Sequence, residues 1–207
     1  RINGDEVSRN FVVDFIERNK SFLEKQKLSF FEMTVGMAFD YFATEKVDIA
    51  IIEVGLGGRL DSTNIINPEV SVITNIGLDH TQFLGETLSE IAFEKAGVIK
   101  KNIPVIIGER QKEIQNIFIE KAGKLNSEIT FASDFNQTYK TDLLGDYQQK
   151  NIKTVVLAID KLNQALLYFP NHIGIKLNLL QALLVSFENS KDRQQDFNQA
   201  SILINQF

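Results

Sequence analysis

Short apolar runs that alternate with segments of helical periodicity constrain the fold of this chain most strongly. The runs cover 48–54, 70–77 and 103–109 and are rich in β-branched residues. Such runs are typical of strands that are covered on both faces of a sheet. Amphipathic segments at 87–101 and 111–125 follow the second and third runs. Strands and helices that alternate in this way predict right-handed crossovers and a parallel sheet, and therefore an α/β fold.

Helices are also predicted before and after this region. Apolar residues recur every three or four positions over 7–26 and again from Ser29 onward, which predicts two amphipathic helices. After residue 126 the pattern indicates short strands and turns, followed by a helix over 151–166. From residue 171 onward we expect one more amphipathic helix, a polar loop and a final strand.

The composition excludes several classes of protein. The chain has 207 residues, 43% of them hydrophobic, which is enough for one sizeable domain. Its net charge of −5 provides no overall basic field for nucleic acid or anionic lipid. The absence of cysteine excludes disulfides and thiolate metal sites and fits a reducing cytoplasm. No apolar run approaches the roughly 20 residues of a membrane helix, so we expect no membrane association.

Polar residues follow the predicted strands at the point where each strand ends. Glu53, the segment 75–80 and the segment 108–110 occupy these positions. In open parallel sheets, ligands bind outside the carboxyl ends of the strands. The sequence therefore predicts a functional site at this edge of the sheet.

Each candidate at this edge has two interpretations from the residues alone. Glu53 could form an ion pair or accept backbone hydrogen bonds, or it could bind a hard cation such as Mg²⁺. His80 could be structural, or it could join Asp79 and Glu53 at a metal. Lys95 shares a helix face with Ile91, but a solvated lysine is the simpler interpretation.

The loop at 55–64 is rich in glycine, with the sequence GLGGRLDSTN. It matches neither G-x-x-x-x-G-K-[ST] nor G-x-G-x-x-G, so the phosphate-loop and dinucleotide interpretations are weak. We interpret it as a turn whose slim backbone lets a substrate approach closely.

Four motifs in order resemble one family, and the resemblance covers roughly residues 1–160. They are FFEMTVGMAFDYF, DIAIIEVGLGGRLDSTNII, SVITNIGLDHTQFLGETLSEIAFEKAGVIK and PVIIGE. Together they resemble the central domain of folylpolyglutamate synthase/dihydrofolate synthase, in the Mur ligase superfamily. The resemblance implies a three-layer parallel-sheet domain similar to P-loop NTPases. We assign residues 1–195 to this domain and 196–207 to the start of a C-terminal ligase domain.

The resemblance also implies a reaction and its reactants. In this family ATP phosphorylates a carboxylate, and the amino group of L-glutamate then attacks the acyl phosphate. Mg²⁺ stabilises the charge of the phosphates. The implied partners are ATP, Mg²⁺, L-glutamate and a folate or pteroate acceptor, and the implied state is a monomer.

Site residues carry over by motif. Glu53 and His80 look like magnesium ligands, and Lys95 in FEKAG looks like the family's carbamylated lysine, with a catalytic role shared with His80. Asn151 in GDYQQKN matches an asparagine that contacts the nucleotide. The residues that match pteroate-binding segments are Ser29, Phe30, Phe31, Glu32, Leu60, Asp61 and Ser62.

Some expected features of the family do not occur in this sequence. There is no G-K-[ST] phosphate loop, and Tyr147 stands where a histidine is usual. The segment LLQALLVSFEN stands where the family has Thr-Gly-Leu-x-Gly-Arg. We therefore expect a fragment with sequence missing at both ends that does not turn over alone. Two alternatives are a peptidoglycan-precursor ligase and a degenerate, non-catalytic domain that binds a pterin or a partner protein.

Overall fold

The computed structural model describes residues 1–141 and 145–168, and every statement below concerns this part of the chain. Residues 1–47 belong to one compact unit, and the residues from Asp48 onward belong to a second. The elements predicted beyond residue 171 and the domain boundary predicted at residue 195 lie outside the described residues. No helix of the described part is both long and apolar enough to cross a bilayer.

The first unit contains the two predicted helices. Helix α1 spans Arg9–Gln26 and starts where the Ser8 side chain accepts a hydrogen bond from the backbone N–H of Phe11. Helix α2 spans Phe30–Glu45. The two helices contact each other through the rings of Phe11 and Tyr41, whose centroids are 4.8 Å apart. The start of α1 differs from the prediction by two residues.

The second unit is built on a parallel sheet. Among the described residues the strands lie in the order β1-β2-β3, with Val72 opposite Ile106 and Ile106 opposite Thr130. Helices connect the strands as the alternating pattern predicts. The elements are β1 (Ser71–Ile73), α3 (Thr81–Leu84), α4 (Leu88–Lys95), β2 (Val105–Ile107), α5 (Gln115–Lys124), β3 (Ile129–Phe131) and α6 (Tyr147–Tyr168).

Helices cover both faces of this sheet. On one face Val72 and Ile106 belong to a buried cluster with Ala158 of α6. On the other face the alternate strand residues pack in a larger buried cluster with α4 and α5. This cluster includes Ile73, Val105, Ile107, Ile91 and Phe118. The predicted three-layer α/β architecture is confirmed.

The segment 48–54 does not form the predicted strand. Within the described residues it makes one isolated β-bridge, at Ile52. Its burial alternates, because Ala50, Ile52 and Val54 are buried while Ile49 is 44% exposed. The apolar run at 48–54 is therefore not a strand that is buried on both faces of the sheet. Consecutive backbone pairing defines a strand, and residue composition alone does not report that pairing.

Candidate functional site

The ends of β1 and β2 meet at one edge of the sheet, as predicted. The backbone N–H of Gly108 donates to the carbonyl of Ile73 at 2.8 Å. A Cβ on Gly108 would lie only 2.2 Å from the carbonyl oxygen of Thr74, so only glycine fits this approach. The residues that follow β1 and β2 therefore leave the sheet side by side.

Asp79 and His80 lie in the loop that follows β1. His80 has a left-handed backbone (φ 49°, ψ 35°), which is uncommon for a non-glycine residue and recurs at functional sites. One Asp79 carboxylate oxygen accepts from the His80 backbone N–H at 2.8 Å, and the other lies 3.9 Å from Nε2 of His80. Both side chains are more than one-third exposed. The loop thus presents a carboxylate and an imidazole side by side.

Glu53 is exposed. It follows Ile52 and precedes the glycine loop. In the described part of the chain, no three His, Cys, Asp or Glu side chains form a group that could hold a metal ion. Mg²⁺ usually takes one or two carboxylates and completes its shell with water and phosphate oxygens. Asp79 and His80 supply two such donors side by side, and the roles of Glu53 and His80 as magnesium ligands stay a prediction.

Lys95 points into the protein. It ends α4 and is 5% exposed, and its neighbours on the helix, Ile91 and Ala92, are fully buried. The interpretation as a solvated lysine is therefore wrong. Burying a charged ammonium is costly unless it is paired or its charge is changed. The carbamylation of Lys95 stays a prediction.

The glycine loop packs against the end of α4. The backbone N–H of Arg59 donates to the Glu94 carbonyl at 2.9 Å, and the Arg59 guanidinium binds the Glu94 carboxylate at 2.9 Å. These side-chain hydrogen bonds raise the pKa of Arg59 above its ordinary value. A Cβ on Gly58 would lie 2.9 Å from Val98 and 3.0 Å from the Glu94 carbonyl oxygen. Gly58 therefore leaves room for the end of α4, and the approach of a substrate to this loop stays a prediction.

Asp61 holds the glycine loop together. Its Oδ2 accepts from the backbone N–H groups of Gly55 at 3.1 Å and Leu56 at 3.0 Å. Its Oδ1 accepts from the backbone N–H of Thr63 at 2.8 Å. Both carboxylate oxygens thus bind protein donors, which gives Asp61 a structural role that its predicted substrate role did not include.

The neighbours of Asp61 differ in what they offer a ligand. The Leu60 side chain is 79% exposed. Ser62 opens a short 3₁₀ turn that spans Ser62–Ile65. Their predicted contact with a substrate stays a prediction.

The segment Ser29 to Glu32 belongs to the first unit. Ser29 Oγ accepts from the Glu32 N–H at 3.2 Å, and the Glu32 carboxylate accepts from the Ser29 N–H at 2.7 Å. This capping box starts α2, and its hydrogen bonds lower the pKa of Glu32. Phe30 is 82% exposed and Phe31 is 40% exposed. Ser29 and Glu32 therefore shape the helix end, and the two phenylalanines present apolar surface.

Asn151 lies in the first part of α6, which starts at Tyr147 rather than at residue 151 as predicted. Its side-chain amide donates to Gln148 Oε1 at 3.3 Å and is half-buried. Its predicted contact with a nucleotide stays a prediction.

Arg110, at the end of β2, is engaged within the protein. Its guanidinium donates to the Asp134 carboxylate at 2.9 Å and lies 3.7 Å from the centre of the Phe131 ring. The pairing raises the pKa of Arg110 and lowers the pKa of Asp134. Arg110 therefore locks the ends of β2 and β3 together.

Gln111 is a residue of this edge that sequence reasoning missed. Its side-chain amide bonds to both backbone groups of Ile76, 35 residues away in the chain. A glutamine after a strand carries no local signal for such a contact.

A model of the Mur ligase middle domain matches residues 13–172. The chain belongs to the Mur ligase middle-domain family. In this chain the glycine loop, the Asp79–His80 pair and the inward-facing Lys95 all lie in the second unit.

Relatives of this Mur ligase middle domain carry the names that the motifs predicted. The dihydrofolate synthase/folylpolyglutamate synthase of Haemophilus influenzae is 44% identical over 115 residues, which are 56% of this chain and 25% of that protein. The structure of the apo form of Lacticaseibacillus casei folylpolyglutamate synthase matches with a TM-score of 0.69 and 26% identity, over 83% of this chain and 49% of that one.

A third relative is a bifunctional folylpolyglutamate synthase/dihydrofolate synthase from Yersinia pestis, solved with AMPPNP and a Mn ion. It matches with a TM-score of 0.56 and 34% identity, over 62% of this chain and 31% of that one. The chain thus spans less than half the length of each of these relatives. The predicted resemblance is confirmed.

Proposed function

We propose that the protein is an ATP-dependent ligase that joins L-glutamate to the carboxylate of a folate or pteroate acceptor. The observation that carries this proposal is the placement of Asp79 and His80 at the carboxyl edge of a parallel sheet in this family. The names of the relatives, and the AMPPNP and Mn ion in one of them, support the same reaction class.

Glu53 and His80 are the residues that would hold Mg²⁺, with Asp79 beside His80. The ion supplies neutralising charge for the phosphates during phosphoryl transfer. The left-handed turn at His80 is held in place, because the His80 carbonyl accepts from the backbone N–H groups of Phe83 and Leu84 at 2.8 Å and 3.0 Å. The protein thereby positions the donors before the reactants bind, which is the main contribution a protein makes to phosphoryl transfer.

The reaction consumes ATP, the acid and glutamate, and it yields ADP, phosphate and an amide. The acceptor carboxylate attacks the γ-phosphorus, and the glutamate nitrogen then attacks the acyl carbon and displaces phosphate. The exposed Leu60 of the second unit offers apolar surface for the acceptor's rings. Lys95, as a carbamate, would supply an additional anion, and Asn151 would contact the nucleotide.

The experiment compares the complete protein with its Glu53→Ala variant. Each is incubated with ATP, Mg²⁺, L-glutamate and either dihydropteroate or tetrahydrofolate, and mass spectrometry detects glutamate added to the acceptor. We expect Glu53→Ala to lower turnover by at least about 100-fold, the upper end for loss of support to a metal. Because Glu53 is exposed, the free energy of unfolding should change by less than about 0.5 kcal/mol.

Glu120→Ala is the matched control, because Glu120 is exposed on α5. It should change neither turnover nor stability. If the complete protein forms no glutamate adduct with either acceptor, the proposed ligase function is refuted and a binding domain is favoured. A parallel loss of stability and turnover in Glu53→Ala would instead assign Glu53 to an ion pair.

A further inference from the structure

The Gln111 side chain holds Ile76 at two points. The Ile76 backbone N–H donates to Gln111 Oε1 at 2.9 Å, and Gln111 Nε2 donates to the Ile76 carbonyl at 2.8 Å. A primary amide carries one acceptor and one donor group, so it can satisfy both backbone groups of one residue as a neighbouring strand does. Gln111 thus replaces a strand at this position.

This contact lies where the sheet has already ended. Pairing between β1 and β2 stops with the hydrogen bond from Gly108 to Ile73, and the two chains then separate. The Gln111 amide reconnects them three residues beyond. Ile76 is 4% exposed, so its backbone groups need partners inside the protein. Gln111 supplies both.

Gln111 is itself held in place. The backbone carbonyl of Gln111 accepts from the backbone N–H groups of Ile114 at 3.1 Å and Gln115 at 2.8 Å, in the turn that leads into α5. Ile114 is 1% exposed and anchors this turn in the core. The amide therefore extends from a fixed backbone and can hold another segment in register.

Ile76 is followed closely by the candidate ligands. Gly77 and Leu78 form a short turn, in which the Asp79 N–H donates to the Gly77 carbonyl at 3.0 Å, and Leu78 is 65% exposed. His80 comes next, in its left-handed conformation. We propose that Gln111 is a positioning residue: by holding Ile76 it sets the loop that directs Asp79 and His80 toward the metal. This inference rests on the proposed function.

The test uses the complete protein with two substitutions of Gln111. Gln111→Met keeps the length of the side chain and removes both hydrogen bonds. Gln111→Glu keeps the shape and the acceptor for the Ile76 N–H, but places an oxygen against the Ile76 carbonyl. Gln115→Met is the matched control, because Gln115 lies four residues along and its side-chain oxygen accepts from Arg110 at 3.0 Å rather than from Ile76.

The primary readout is Mn²⁺ binding, measured by electron paramagnetic resonance with a non-hydrolysable ATP analogue and without turnover. Thermal unfolding and the KM for the acceptor are measured on the same samples. Mutation of a group that supports a metal ligand typically lowers metal affinity by about 10–100-fold. We expect the Kd for Mn²⁺ to rise about 10-fold in both Gln111 variants and to stay within about twofold in Gln115→Met. The KM for the acceptor should not change.

A lower melting temperature with an unchanged Kd for Mn²⁺ would give Gln111 a structural role only and overturn the inference. If Gln111→Met does not fold, the same comparison is decided by Gln111→Glu. Suppose that the wild-type protein binds Mn²⁺ and ligates glutamate, and that the folded variants bind Mn²⁺ equally well. That result refutes the role of Gln111 but leaves the proposed function standing. A wild-type protein that does neither refutes the proposed function, and this inference with it.

Discussion

Gly97→Ala tests how tightly the glycine loop is packed against the end of α4. A Cβ on Gly97 would lie 2.2 Å from the Cα of Arg59 and 2.5 Å from its backbone nitrogen. These are backbone atoms, so a side-chain rotation cannot relieve the clash. The same nitrogen donates to the Glu94 carbonyl at 2.9 Å, so moving the loop away would also break this hydrogen bond.

The size of the effect follows from these two terms. Overpacking a well-packed interior costs about 1–3 kcal/mol. Loss of one intramolecular hydrogen bond adds about 1 kcal/mol. We therefore expect the free energy of unfolding to fall by about 2–4 kcal/mol. For a protein of this size, that corresponds to a melting temperature lower by roughly 5–15 °C.

Urea denaturation of the wild type and the variant measures this change through the midpoint, with the slope as a check on the two-state assumption. Gly123→Ala is the matched control. Gly123 is exposed on α5, and a Cβ there would meet no heavy atom within 4 Å. Because alanine is the better helix former, this control should gain about 0.5–1 kcal/mol. A free energy of unfolding for Gly97→Ala within about 0.5 kcal/mol of the wild-type value would refute the reasoning and show that the loop can move to accommodate the methyl group.

Two further predictions concern the strand ends. The Thr74 hydroxyl is buried and has no hydrogen-bond partner among the described residues. Thr74→Val should therefore raise the free energy of unfolding by about 1–2 kcal/mol. A lower free energy of unfolding in urea denaturation would contradict this. Arg110 lowers the pKa of Asp134, so this carboxylate stabilises the fold at pH values above its ordinary pKa of about 3.8, and the stabilisation is lost as the pH falls further. The stability difference between wild type and Asp134→Asn, measured in urea from pH 6 to pH 2.5, should therefore shrink below about pH 4; a constant difference would contradict it.

The sheet and the helices around it were predictable because each signal was local. The runs at 70–77 and 103–109 contain the β-branched residues of β1 and β2; β1 lies near the start of its run and β2 at the centre of its run. Helix α4 begins just after Thr87, the first residue of the predicted amphipathic segment 87–101. The run at 48–54 misled because its alternating burial depends on what packs against it.

The candidate site was predictable in part. His80 follows from its position after the run that forms β1, because parallel strands end at one edge. Glu53 was selected on the same ground, although the segment 48–54 forms no strand. Their placement as ligands, and the carbamylation of Lys95, came from the resemblance. The burial of Lys95 could not be read from helical periodicity alone, since a helix residue beside Ile91 can still face solvent.

By itself the sequence determined the alternation of strands and helices, the parallel sheet and the edge where polar residues gather. These follow from periodicity and from residue preferences, which act over a few neighbouring positions. Only the tertiary structure decided what the glycine loop contacts and how the loop before His80 is held. Gly58 faces the end of α4, and Gln111 holds Ile76 across 35 residues. Such contacts arise when the packed core brings distant backbones within hydrogen-bonding distance, and no short stretch of sequence records that distance.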